Sequence, residues 1–130
     1  MKSIQSLSAS LTALILCFTS FTVFGQEPEK TPEQLASEQA DRLQKDLDLA
    51  DHQVFYIDSV LQYNFTGLTK EMEDMRKAGM QSRDSYMNVQ KKWGMKTEEA
   101  FEKILDNNQF VKYLKLSGRY RDYKKRKGIK

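Results

Sequence analysis

The chain has 130 residues, 30% of them charged and 39% apolar, with one cysteine, one histidine and a formal net charge of +3. That length corresponds to one small domain, since single domains run about 50–250 residues. A lone cysteine excludes a disulfide framework, so the fold must be held by helix packing or by oligomerisation.

Residues 1–25 read as an export signal. Met1-Lys2 gives a short positive start, Leu11 to Phe24 an almost unbroken apolar stretch, and Val23-x-Gly25 a small-residue exit before Gln26. Spanning a bilayer takes about 20 apolar residues, and here Thr12, Thr19, Ser20 and Thr22 interrupt a shorter run. The expected product is periplasmic or secreted, cleaved near Gly25-Gln26. Cys17 lies within the signal. The residue before a lipidated cysteine is normally small and Leu16 is not, so removal with the signal is the main reading and lipid attachment the lesser one. Removal leaves a thiol-free chain in an oxidising compartment.

Residues 26–30 form a polar leader expected to be disordered. Thr31-Pro32-Glu33-Gln34 then carries a cap, a proline at the first helical position and the glutamine of a capping box. Leu35, Ala36, Ala40, Leu43 and Leu47 follow at helical spacing, predicting a first helix to about Leu47. Leu47 to Asp51 reads as a tight reset, with Asp48 or Asp51 available for the capping role that Ala50 cannot fill. A second helix is expected over residues 51–92. Its seam is Val54, Ile57, Leu61, Phe65, Leu68, Met72 and Met75, with bending near Gly67 or Gly79 and termination at Gly94. Thr97 is expected to cap a short segment holding Phe101 and Ile104. Asp106 then starts a last helix through Phe110, Tyr113, Leu114, Ser117 and Tyr120. No alternating strand pattern occurs. The expected fold is all-α: a long antiparallel helical hairpin over residues 31–123, residues 51–92 against 97–123, with the first helix across one end. The long seam motivates a homodimer.

Two helix starts share one design, Leu49-Ala50-Asp51-His52-Gln53 and Leu105-Asp106-Asn107-Asn108-Gln109. Each has an apolar residue, a cap position, two polar residues and a glutamine. With threonine at the cap this is the Leu-Thr-x-x-Gln motif, and the chain resembles the Spy/CpxP family of periplasmic helical proteins, most closely its short secreted relatives in Bacteroidota. Ala50 and Asp106 stand where the family has threonine. The resemblance spans about residues 31–120. It implies a non-enzymatic, chaperone-like or envelope-stress-associated binding protein, its partners unfolded or partner proteins. The motif residues Leu49, Gln53, Leu105, Asp106 and Gln109 have a structural role, since a cap contributes roughly 1 kcal/mol.

No catalytic constellation accompanies these elements. His52 stands alone in the first turn of a helix, without a second ligand at metal spacing. No serine has a glycine-rich elbow, and there is no phosphate-cradling loop. The reading is no enzyme, no metal and no cofactor. Met72, Met75, Met80, Met87 and Met95 cluster in one third of the chain. Packing accounts for some of them; an adaptable client-binding face of Met80, Met87 and Trp93 is the functional alternative, and Cu(I) a distant third. From Arg119 to Lys130 seven basic residues stand against Asp122 alone. Arg119, Arg121, Lys124, Lys125, Arg126 and Lys127 are read either as a solvated helix end, disordered over 124–130, or as a tail for an anionic membrane surface. Export argues against nucleic acid. Asn64-Phe65-Thr66 matches a glycosylation acceptor but sits mid-helix.

Overall fold

The structure, a computed structural model, describes residues 28–130; the stretch expected to be an export signal, with Cys17 in it, and the start of the expected leader lie outside the described residues. The fold is all-α, with five helices and no strand among the described residues: α1 (Pro32–Leu47), α2 (Asp51–Lys77), α3 (Arg83–Ile104), α4 (Asn107–Leu116) and α5 (Tyr120–Lys127).

The capping box at the start of α1 forms as expected. Thr31 Oγ1 accepts from the Gln34 amide at 3.3 Å, and Gln34 Oε1 accepts from the Thr31 amide at 3.0 Å. Ala36, Ala40, Leu43 and Leu47 all bury on one side of this helix. At its end Asp48 turns left-handed (φ 52), a conformation that aspartate tolerates better than most side chains, and Leu49 N–H bonds to the Gln44 carbonyl. Neither Asp48 nor Asp51 caps α2: Asp48 closes α1 and Asp51 is already helical. Ala50 occupies the cap position with extended geometry and no side-chain acceptor.

α2 runs through Gly67 but ends at Lys77, so the single helix expected over 51–92 is two helices. Gly79 (φ 74) takes the left-handed conformation that ends α2 and opens the loop 78–82. Ser82 then caps α3 by accepting from the Ser85 amide at 3.1 Å. Two further expectations fail for one reason: Gly94 and Thr97 both lie inside α3. Gly94 does not terminate; its missing Cβ makes room for Arg119, whose Nη1 would lie 2.9 Å from one. Thr97 does not cap; its hydroxyl accepts from Asn64 Nδ2 at 2.8 Å and donates to the Trp93 carbonyl at 3.0 Å. That leaves Asn64 buried and hydrogen-bonded within α2, closed to glycosylation.

α1 lies alongside α2 rather than across its end. Ser37, Ala40, Asp41 and Gln44 share a groove with Asp51, Val54, Phe55 and Asp58, while Glu33 meets Gln62, Thr66 and Lys70. α2 and α3 are antiparallel, tied by the Asn64–Thr97 bond and by Lys92 Nζ on Glu71 at 2.7 Å. The core gathers Ala36, Leu43, Ile57, Leu61, Phe101 and Leu114 with the flanking Leu49, Leu105, Phe110 and Tyr113. Fully burying each large aliphatic contributes about 1.5–3 kcal/mol. Val54, Ile57, Leu61 and Phe65, the near half of the seam that motivated a dimer, belong to this core or pack on it.

Candidate functional site

The two motif glutamines meet. Gln53 Nε2 donates to Gln109 Oε1 at 2.8 Å, and Gln109 Nε2 donates back to Gln53 Oε1 at 3.2 Å. Each Oε1 also accepts the amide of its own cap position, Ala50 or Asp106, at 3.0 Å. The second hydrogens go across the junction: Gln53 Nε2 reaches the Ile104 carbonyl at 3.2 Å, Gln109 Nε2 the Asp48 carbonyl at 3.4 Å. Each acceptor stands two residues before the other motif's cap, so the pair is an approximate two-fold. Leu49 and Leu105, between acceptor and cap, bury in the core on either side. Asp106 completes its box by accepting from the Gln109 amide at 2.8 Å, which Ala50 cannot match. All five motif residues therefore converge on a clamp joining the α1–α2 and α3–α4 turns. With both amides fully paired, it has nothing to offer a ligand.

The three residues expected to share a client face separate into two groups. Met80 in the 78–82 loop and Met87 on α3 are 55% and 53% exposed. They lie where α2 and α3 extend past the start of α1; Met72 and Met75 are half-buried there and Val89 is buried. Ten residues of α2 beyond Gly67 carry that end about 15 Å further at 1.5 Å per residue. Trp93 instead wedges between α2 and α3. Its ring lies directly over Gly67, where a Cβ would be 2.1 Å from Cη2. Its Nε1–H donates to Glu71 Oε2 at 2.7 Å, Tyr63 meets it edge-on at 6.3 Å, and Lys96 Nζ lies 4.2 Å from its centroid. Hydrogen bonds from Lys92 and then Trp93 hold the Glu71 carboxyl below the usual carboxylate range. Trp93 is a packing residue.

Three exposed aromatics escaped the sequence reading: Phe55 (68%), Tyr56 (55%) and Tyr63 (71%). All sit on α2 away from its seam, and that off-seam position was the available signal. Phe55 borders the groove between α1 and α2, beside Asp41, Asp51 and Asp58; Tyr63 borders shallow grooves between α2 and α3.

The basic run is not a loose tail. Residues 120–127 form α5, which docks on α3. Arg119 Nε bonds to Glu98 Oε2 at 2.7 Å, Arg126 Nη2 bonds to Glu98 Oε1, and Tyr123 Oη donates to Glu102 at 2.6 Å. Glu98 is only 2% exposed. Lys127 lies 3.6 Å from Glu102, while Arg121, Lys124 and Lys125 have no carboxylate partner among the described residues. The disorder expected over 124–130 thus gives way to helix through Lys127, because Glu98 and Glu102 supply counter-charges that a linear reading does not place nearby.

No protein-family model, curated protein or solved structure matches this chain.

His52 is exposed at the start of α2, and no group of three or more His, Cys, Asp or Glu among the described residues is arranged to hold a metal ion. No described helix is long and apolar enough to cross a membrane. The described surface offers apolar contact at Phe55, Tyr56, Tyr63, Met80 and Met87, at Leu35, and at Leu116 and Ile129 on either side of α5, and uncompensated charge on α5.

Proposed function

We propose that the chain is an exported, non-enzymatic helical binding protein of chaperone-like character. It holds partly unfolded clients through apolar side chains on the outer surface of α2 and at the far end of the α2–α3 pair. The carrying observation is that Phe55, Tyr56, Tyr63, Met80 and Met87 are each more than half exposed in a chain that already has a separate apolar core. Flat rings and flexible thioethers suit weak contact with many sequences, and the intervening charges of Lys70, Glu73, Arg76 and Lys77 keep the surface wetted. Such multipoint contact needs no ATP. The export signal and the two Leu-x-x-x-Gln helix starts support a periplasmic or secreted setting. In this reading α2 and α3 form a hairpin arm braced by the glutamine clamp. A homodimer through α2 would use its outer aromatics, because the near half of the seam is occupied within one chain.

The test is suppression of aggregation of a denatured model protein by residues 26–130, a segment that contains the whole core from Ala36 to Tyr123. Phe55/Tyr56/Tyr63→Ser and Met80/Met87→Ser should each weaken suppression several-fold without loss of helicity. Inactivity of the parent chain at several-fold excess, or equal activity of the parent and both variants, removes this reading in favour of an exported adaptor with one specific partner. Sedimentation over a range of concentrations separates client binding by monomers from occupation of the same aromatics by a second copy.

A further inference from the structure

α5 has two faces of opposite fate. Arg119, Tyr123, Arg126 and Lys127 turn toward Glu98 and Glu102, so the three cations are paired within the chain and the phenol donates to Glu102. At 100° per residue, Arg121, Lys124 and Lys125 fall within an arc of about 100° on the opposite side. Lys115, from the last turn of α4, converges on the same surface: its Nζ and that of Lys124 lie 5.3 and 5.2 Å from the Tyr120 ring. Apolar side chains stand at both ends. Leu116 is 57% exposed before the helix and Ile129 is 51% exposed after it. Ile129 is held back against the helix end, its N–H bonded to the Lys124 carbonyl at 3.0 Å. Asp122 is the one acid in the segment and falls about 60° outside this arc.

We propose that this outer face of α5 seats the protein on an anionic bilayer surface. Lys115, Arg121, Lys124 and Lys125 meet headgroup phosphates, while Leu116 and Ile129 enter the headgroup layer. The combination decides the partner. A nucleic-acid backbone would satisfy the cations but offers nothing to Leu116 and Ile129, whereas the bilayer interface accepts both classes of side chain. Glu98 makes the surface directional: by holding Arg119 and Arg126 inward, it fixes which cations point out. None of the residues assigned to client contact takes part, so this inference stands apart from the chaperone reading.

The experiment is sedimentation of residues 26–130 with vesicles of phosphatidylglycerol and phosphatidylcholine in equal parts, at low salt. Binding should weaken steeply as the screening length falls from about 10 Å at 0.1 M to about 3 Å at 1 M salt. Arg121/Lys124/Lys125→Gln should lose about 100-fold in affinity, at roughly five-fold per basic residue near a charged surface. Its helicity should be retained, because none of the three side chains bonds to α3. Leu116/Ile129→Ser should bind several-fold more weakly with the same salt dependence. The proposal is overturned if the triple variant binds like the parent, if pure phosphatidylcholine vesicles bind equally well, or if the Leu116/Ile129 variant is unaffected. Preferential binding of duplex DNA, lost in the triple variant, would also overturn it and assign the face to nucleic acid.

Discussion

Gly67→Ala sets two effects of known size against each other. In an exposed helix interior the change would stabilise α2 by about 0.8–1.0 kcal/mol through helix propensity. Here the new Cβ would stand 2.1, 2.6 and 2.7 Å from Cη2, Cζ2 and Cζ3 of Trp93, against an ordinary carbon contact of about 3.5–4.0 Å. The indole must therefore retreat by more than an ångström or carry α3 with it. Retreat strains the Nε1–H bond to Glu71, a bond to a charged group of the kind that contributes about 1.5–3 kcal/mol. Overpacking of this sort costs typically 1–3 kcal/mol, so a net loss of about 1 kcal/mol is expected. Because Trp93 is the sole tryptophan, its emission reports the displacement directly, and urea unfolding followed by emission and by circular dichroism gives the energy. The decisive measurement is the same substitution in a Trp93→Ala background. With the ring gone, Gly67→Ala should become stabilising by up to about 1 kcal/mol, giving a coupling of about 2 kcal/mol between the two sites. Equal stabilisation with and without the indole would refute the packing of Trp93 on Gly67.

The glutamine clamp predicts a second coupling. Gln53→Ala or Gln109→Ala alone should cost about 1–3 kcal/mol, since each deprives a cap amide of its acceptor and leaves the other glutamine half-paired. The double variant should cost clearly less than the sum of the two, and additive losses in urea unfolding would show that the amides do not meet. Alkaline titration supplies a third expectation. Burial raises the Tyr113 phenol to about 12, and the hydrogen bond to Glu102, followed by burial, raises Tyr123 to about 12. An unfolded phenol loses its proton near 10, so the folded state binds more protons between pH about 10 and about 12. Stability from both groups is complete below that window and falls across it as pH rises. Ultraviolet titration should show two late phenols, one disappearing in Tyr113→Phe and one in Tyr123→Phe. Titration of every tyrosine near 10 in a chain that is still helical would contradict both environments.

Local signals carried the helix starts in the sequence. Thr31, Asp106, Gln34 and Gln109 each make their capping bonds within one turn of chain, so that part of their geometry was legible before any tertiary contact was known. The inner stripe of α2 was legible too, because Ile57 and Leu61 repeat at helical spacing and bury as that spacing requires. What failed were the elements whose meaning depends on a distant neighbour. Gly94 and Thr97 look like a stop and a start, yet one receives Arg119 and the other pairs with Asn64, both far away in the chain. The break at Gly79 was an exception of a different kind. A glycine followed by a serine three residues later is a local end-and-restart signal, but a glycine inside a helical seam also fits a bend, and in the sequence Gly79 reads as one.

The same distinction explains the candidate sites. Periodicity identifies which side chains are apolar on one face, and says nothing about which neighbour covers them. Trp93 sits near Met87 in the sequence and shares its apolar character, but Gly67 admits the ring against α2, where it is half-buried. The basic run presents the converse case. Seven cations in twelve residues read as one electrostatic object, yet a single buried carboxylate, Glu98, pairs with two of them, Arg119 and Arg126. Breaking one side of a buried ion pair costs about 3–5 kcal/mol, enough to make α5 part of the fold rather than an appendage. The surface charge of this protein is thus set by Glu98 and Glu102 on α3 as much as by the lysines themselves, and the cations of α5 left without a carboxylate partner among the described residues are Arg121, Lys124 and Lys125.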